Sequence, residues 1–293
     1  MTYPGTLLRA QKFFARKELG QNFLSDPKTA EMIVNRSDIS CSDSVLEIGA
    51  GLGALTVYAA KKAKKIYAVE KDTRLIGILA NELAAACIDN VELINKDIFK
   101  VDIRGLARKQ KLIVLGNLPY NISSQVLFTL IKERKYIKKA ILMFQKELAQ
   151  RIQAAPGGKD YGRLSVGVQY CSNVKNISDV GGHLFFPKPE VESKVIELSF
   201  FEKTCFSGKK EAFFFKVIKA AFSKRRKTLK NSLAGPELGI NPQMAAHFLE
   251  ESGIIPVRRA ETLNVNEFIS LTEALWLENY RENGNGQQQD QHR

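Results

Sequence analysis

A doubly wound, mostly parallel α/β sheet followed by a smaller α-helical domain is the fold this sequence predicts, and three observations predict it. Five short apolar runs alternate with stretches of helical periodicity over the first half of the chain. Glycines, carboxylates and an amide cluster at or just after the ends of those runs, where an open parallel sheet gathers its ligands. Beyond residue 206 only helical periodicity remains. Strands alternating with helices imply right-handed crossovers, and hence the parallel sheet.

The elements follow in order. Asp26-Pro27 reads as an N-cap with proline at the first helical position, and Ala30, Ile33 and Val34 then recur on one face. Val45–Ile48 is a buried-strand run that enters Gly49-Ala50-Gly51-Leu52-Gly53, with helical pattern from Ala54 to Ala63. A second strand, Ile66–Val69, ends at Glu70, and Arg74–Ala86 is helical. A third, Val91–Ile94, ends near Asp97. A fourth, Leu112–Leu115, enters Gly116-Asn117-Leu118-Pro119-Tyr120. Helical pattern over Ser124–Glu133 leads to a fifth strand, Ala140–Phe144. Ile196, Leu198 and Phe200 alternate with polar residues, as a strand with one wet face does. Ser207–Lys210 reads as a linker. Phe214, Val217, Ile218 and Ala221 then open a helical region that runs to about Tyr280. The organisation expected is one domain over 1–206, a helical domain over 207–282 and a disordered tail over 283–293.

The glycine loop fits two kinds of nucleotide ligand. Glycines let the backbone turn tightly and approach a ligand closely. Gly49-x-Gly51-x-x-Ala54, with Glu70 about 20 residues on, satisfies the pattern for a nicotinamide or flavin dinucleotide. Glu47 and Gly53 extend it to E-x-G-x-G-x-G. A carboxylate there suits a cationic ligand such as S-adenosylmethionine and would repel a pyrophosphate. Glu70 is placed to accept hydrogen bonds from ribose hydroxyls, and Asp97 from an adenine amino group.

Asn117-Leu118-Pro119-Tyr120 turns the choice toward methyl transfer. The lone pair of adenine N6 is delocalised into its ring, so attack on a sulfonium methyl requires that pair to be localised on nitrogen. Two acceptors aimed at the two N6 hydrogens favour this form and the charge that develops on attack. The Asn117 side-chain oxygen can be one acceptor. The Leu118 carbonyl can be the other, since Pro119 biases Leu118 to an extended conformation. Tyr120 offers a face on which an extruded base stacks.

Composition bounds the partners. The chain of 293 residues carries a formal net charge of +13, from 44 Lys/Arg against 31 Asp/Glu. Ten of the basic residues and one acid, Glu211, lie between Lys203 and Lys230, a concentration that favours a polyanion. The four cysteines (Cys41, Cys87, Cys171, Cys205) form no C-x-x-C pair and the three histidines are scattered. A reducing compartment is expected, with neither a metal site nor a Ser-His-Asp triad. No apolar run approaches the ~18 residues of a membrane span, and the first residues lack the apolar core of a secretory signal. The expectation is a cytoplasmic protein with no membrane partner.

From about Arg16 to about Asn264 the sequence resembles the ribosomal small-subunit adenine dimethyltransferases, which form two adjacent N6,N6-dimethyladenosines near the 3′ end of 16S rRNA. Asn117–Tyr120, Leu19-Gly20-Gln21-Asn22-Phe23-Leu24, Tyr161–Ser165, Phe185-x-Pro187-x-Pro189 and Ala221–Leu233 carry the resemblance. It implies a Rossmann-like class I methyltransferase domain over 1–206 and an rRNA-binding helical domain over 207–282. It implies S-adenosylmethionine held by Asn22, Leu24, Gly49, Gly51, Gly53, Glu70, Asp97 and Asn117, with no metal. It gives Phe185 a place opposite Tyr120 on the target base; Phe186 leaves open which ring stacks. Lys224, Arg225, Arg226, Lys227 and Lys230 become phosphate contacts. The implied partner is 16S rRNA within an immature small ribosomal subunit, and the implied enzyme is a monomer with a part in subunit biogenesis. The related 23S rRNA enzyme of macrolide resistance, a non-catalytic assembly factor that keeps the fold, and a nicotinamide oxidoreductase are the alternatives.

Overall fold

The structure, a computed structural model, describes residues 5–7, 20–224 and 226–286. The role expected of Arg225 therefore lies outside the described residues. Contacts divide the chain into two compact units, 1–149 with 172–202, and 150–171 with 203–293.

The first unit begins with β1 (Phe23–Leu24) and α1 (Pro27–Arg36). Asp26 caps α1 as its spacing predicts, its carboxylate accepting from the Thr29 N–H at 2.8 Å. β2 (Ser44–Ile48), β3 (Lys65–Glu70), β4 (Val91–Asn95), β5 (Leu112–Asn117) and β6 (Ile137–Gln145) correspond to the five apolar runs. They pair in parallel in the order β4-β3-β2-β5-β6. Leu112, Ile113, Val114 and Leu115 are fully buried, as a strand covered on both faces must be. Each contributes roughly 1.5–3 kcal/mol by leaving water.

α2 (Thr56–Ala60) and α3 (Thr73–Ala85) cross over between β2, β3 and β4. α2 is shorter than the stretch Ala54–Ala63 that periodicity predicts, because turns at both ends take up the flanking residues. The short α4 (Ile103–Leu106) and α5 (Ser123–Lys132) flank β5.

Two pairings escape sequence reading. β7 (Ser172–Val180) is largely polar and sits at the sheet edge, where a strand has only one partner to satisfy. It pairs antiparallel with β9 (Ser193–Phe200), which pairs antiparallel with β6. β8 (Phe185–Phe186) pairs antiparallel with β1, joining segments far apart in sequence: Leu24 lies opposite Phe185 and Phe23 opposite Phe186.

The second unit shows that the expected boundary at 206 omits a piece. α6 (Lys146–Gln153) leads into it, and α7 (Arg163–Cys171) belongs to it rather than to the sheet. The reason is aromatic packing against α8 (Gly208–Ala221): Tyr170 stands 4.1 Å from Phe214, ring centre to ring centre. The Tyr170 hydroxyl also accepts from the Phe206 N–H at 2.9 Å. α9 (Leu229–Leu233), α10 (Pro242–Glu251) and α11 (Val265–Gly286) complete the helical unit. α11 runs through Asn283–Gly286, so the expected disordered tail starts too early; residues 287–293 lie outside the described ones. No helix among the described residues is long and apolar enough to cross a membrane.

Candidate active site

A cleft of about 1130 Å³, open mouth included, lies at the carboxyl ends of β2, β3, β4 and β5. Strand order reverses between β2 and β5, the place where doubly wound sheets bind ligands. The chain folds this way locally because three glycines leave β2 with positive φ, +72° at Gly49, +55° at Gly51 and +84° at Gly53. Only glycine adopts these angles without strain. The Gly49 and Ala50 N–H groups both donate to the Val69 carbonyl, at 2.9 and 3.1 Å, which clamps the loop to β3.

Gly49 and Gly51 line the cleft, and Gly53 does not. A Cβ on Gly53 would lie 2.5 Å from the Leu79 side chain. Gly53 therefore shapes the turn and its seat on α3, not the ligand surface.

Glu70 ends β3, nearly buried. Its Oε2 accepts from the Gly51 N–H at 3.0 Å and its Oε1 from the Asp72 N–H at 2.8 Å. Burial raises its pKa, and those two donors oppose the rise. The carboxylate is thus held in one orientation, with lone pairs left for hydroxyl donors. Asp97 follows β4. Lys71 (2.9 Å) and the Phe99 N–H (3.1 Å) both bond it, and the Lys71 ammonium holds its carboxyl below the usual range.

Glu47 is only 2% exposed, and its Oε2 has no hydrogen-bond partner. Burial, and then the Glu70 charge, push its carboxyl up to about 8. A buried carboxyl lining the cleft with an unused oxygen fits a cationic group on the ligand, as S-adenosylmethionine would bring.

The same carboxyl predicts a pH effect. The folded chain keeps this proton up to about pH 8, whereas the unfolded chain loses it near 4.5. Ligand-free stability from this group is complete below about 4.5 and declines as pH rises to about 8. Denaturant titrations of wild type and Glu47→Gln at about pH 5 and about pH 8.5 should show the decline in wild type and its flattening in the variant. Parallel pH profiles would remove Glu47 as the titrating group.

Asn117 ends β5 half-buried. Its Nδ2 donates to the Asn22 carbonyl at 2.9 Å. A carbonyl there requires the amide nitrogen to face it, so the side-chain oxygen is the atom left for the cleft. Leu118 is buried, and the turn's own bonds, from the Ile122 N–H and the Ser123 hydroxyl, go to the Pro119 carbonyl. The Tyr120 ring lines the cleft with its hydroxyl 3.2 Å from Ser193 Oγ, at the start of β9. Burial raises its pKa.

Asn22 and Leu24 also line the cleft, brought there by the pairing of β1 with β8. Phe185 does not. Opposite strand positions share a face, so Phe185 turns with Leu24 into the core and is 3% exposed. Phe186 packs on the other side, against the cluster of Phe23, Leu52, Leu75 and Ile78. Neither Phe185 nor Phe186 lines the cleft. Sequence reasoning missed Gln21, Lys71 and Phe99, which also line the cleft. Their signal was only adjacency to Asn22, Glu70 and Asp97.

The basic residues of the second unit occupy the turn from α8 into α9. Lys224, Arg226, Lys227 and Lys230 are all exposed there. The Lys224 ammonium donates to the Asn231 carbonyl at 3.2 Å. Carbonyls of Arg258 and Pro256 accept from the Leu229 and Lys230 N–H groups, fixing the base of the turn.

Comparison with known proteins agrees with this geometry. Residues 12–276 match the family described as ribosomal RNA adenine dimethylase. The chain is 64% identical over 276 residues to ribosomal RNA small subunit methyltransferase A of Desulforapulum autotrophicum, covering 94% of this chain and 97% of the relative. To the protein of that name from Bacillus mycoides it is 40% identical, over 90% and 92% of the two chains. A crystal structure of a dimethyladenosine transferase from Plasmodium falciparum superposes with a TM-score of 0.75 at 28% identity, covering 89% of this chain and 98% of the other. The 23S rRNA methyltransferase ErmE shares the fold, with a TM-score of 0.65 at 24% identity over 86% and 99%. The cleft, the glycine loop and the Asn-Leu-Pro-Tyr turn are those of a chain that belongs to the ribosomal RNA adenine dimethylase family.

Proposed function

We propose that the chain transfers methyl groups from S-adenosylmethionine to N6 of two adjacent adenosines near the 3′ end of 16S rRNA, giving N6,N6-dimethyladenosines. The observation that carries this reading is the Asn117 amide, anchored through its nitrogen to Asn22 with its oxygen left for an amine. The substrate is 16S rRNA within an immature small subunit, and the enzyme is a cytoplasmic monomer whose chemistry is assigned no metal. Relatives named small subunit methyltransferase A favour this target over 23S rRNA.

When bound, S-adenosylmethionine supplies an electrophilic methyl group on a sulfonium. The chain's own residues do the rest. Glu70 receives the ribose hydroxyls, Asp97 the adenine amino group, and Glu47 the ammonium of the amino-acid end. The Asn117 oxygen and the Leu118 carbonyl accept the two N6 hydrogens of the target, which localises the lone pair for in-line attack. The proton lost after methylation goes to water, so a strong base is not needed. A neutral Asn117 also allows a second round, because N6-monomethyladenosine keeps one hydrogen and a lone pair. Lys224, Arg226, Lys227 and Lys230 hold phosphates at the helical unit.

Tyr120, held by Ser193, carries the base by stacking, worth about 1–3 kcal/mol. Tyr120→Phe should retain most activity, whereas Tyr120→Ala should lose roughly five- to a hundredfold in kcat/KM. Equal activity in all three proteins would reject the stacking role. Phe185 stands behind the site in the core, so we assign it support rather than a direct face on the base.

The decisive test is mass spectrometry of rRNA nucleosides after incubation with labelled S-adenosylmethionine and immature small subunits. Labelled N6,N6-dimethyladenosine in 16S rRNA is expected. Label confined to 23S rRNA in a parallel reaction would overturn the target.

A further inference from the structure

The cleft occupies one end of the sheet, and the opposite end carries charge that the proposed chemistry does not use. Three loops meet there. The turn at 40–44 enters β2. The Lys64 N–H donates to the Asp43 carbonyl at 2.9 Å, which seats the loop entering β3 on one side of that turn. On the other side, Gln110 Nε2 donates to the Ser42 carbonyl at 2.8 Å and to Ser44 Oγ at 3.0 Å, which seats the loop entering β5. β3, β2 and β5 are consecutive in the sheet, so the two outer loops stand about 10 Å apart.

Most acids at this end are already engaged. Asp43 pairs with Lys138 at 3.1 Å, Asp38 with Lys139 at 3.3 Å, Glu92 with Lys65 at 2.6 Å and Glu202 with Lys111 at 3.4 Å. Lys61, Lys62, Lys64, Arg108 and Lys109 are exposed and have no acidic partner within ion-pair distance among the described residues. Asp89 and Glu133 are acids in the loops at the same end that oppose them. Single surface lysines are ordinarily just solvated. Five uncompensated cations on a hydrogen-bonded platform instead build a field directed at a polyanion.

We propose that this end of the sheet is a second RNA-backbone contact, gripping a double-helical stretch of the small-subunit rRNA remote from the target adenosines. The proposal rests on the reading of the chain as an RNA enzyme. A duplex suits the site better than a single strand, which would need open aromatic faces for its bases. Beside the Lys61–Lys65 segment, the Tyr58 and Tyr67 rings lie beneath the ammonium groups of Lys61 and Lys65, at 5.5 and 4.8 Å. A membrane surface would need an apolar anchor, and among the described residues the one exposed large apolar side chain at this end is Phe201, at 38%.

Two variants of the full chain test it: Lys61→Gln/Lys62→Gln/Lys64→Gln, and Arg108→Gln/Lys109→Gln. Binding to immature small-subunit particles is followed across a range of salt. The slope of log affinity against log salt should fall by roughly 2–3 in the triple variant and roughly 2 in the double. Calorimetric binding of S-adenosylmethionine and kcat at saturating RNA should not change. The Lys→Arg version of the triple variant should restore the slope, which separates charge from folding. Wild-type slopes in both variants would overturn this surface and leave the methyltransferase reading intact. A wild-type chain that binds no RNA would fail that reading first. Weakened binding to phosphatidylserine vesicles with RNA binding unchanged would assign the face to a membrane and overturn the proposal.

Discussion

Asn117→Ala is expected to lower kcat for methyl transfer by about 10²–10³, the usual cost of removing one preorganised hydrogen bond to developing charge. RNA affinity should hardly change, because the phosphate contacts assigned to the helical unit are untouched. The side chain is preorganised by its bond to the Asn22 carbonyl, so its oxygen need not reorient as the amine becomes charged. Single-turnover methylation and filter binding on the same preparation measure the two effects. Equal loss of both would take Asn117 out of the chemistry and make it a structural residue.

Glu70→Ala should produce the largest loss of cofactor affinity. The carboxylate is expected to take two charge-assisted hydrogen bonds from the ribose, each worth about 1.5–3 kcal/mol. The loss is then on the order of a hundredfold or more in Kd by calorimetry. The variant should also be less stable. The Gly51 and Asp72 N–H groups now end on this carboxylate, and each buried donor left without an acceptor costs about 1–3 kcal/mol. Glu70→Gln keeps one acceptor oxygen and should fall between the two. Unchanged cofactor binding in Glu70→Ala would show that the ribose lies elsewhere.

These expectations start from residues already conspicuous in the sequence. The inner parallel strands were legible because a strand covered on both faces must be apolar throughout, as Leu112–Leu115 are, and the edge strand β4 because Val91, Leu93 and Ile94 still form an apolar run. Glu70, Asp97 and Asn117 were legible because each ends such a run. β7 was not, since an edge strand half in water needs no apolar run. The affinity of residues 150–171 for the helical unit was also hidden. It depends on Tyr170 meeting Phe214, a contact between segments that local periodicity does not connect.

Phe185 marks the limit most clearly. Its motif placed it near the site, but pairing with Leu24 decides which way its ring points, and a one-residue step on a strand reverses the face. The basic end of the sheet is a second case. Lys61, Lys62 and Lys64 are far in sequence from Arg108 and Lys109, and only the order of β3, β2 and β5 makes them neighbours. The glycine loop on its own also fitted a dinucleotide; the Asn-Leu-Pro-Tyr turn and the family match decide for methyl transfer.

By itself, then, the sequence determined the strand–helix alternation, the chemistry available at the strand ends and the family, because burial periodicity and motif spacing are local properties of a chain. Tertiary structure alone decided that Glu70 is locked by Gly51, that Asn117 presents its oxygen, that Phe185 faces inward and that uncompensated lysines gather opposite the cleft. Those outcomes depend on which distant segments pair and in which register, and no local pattern encodes a register.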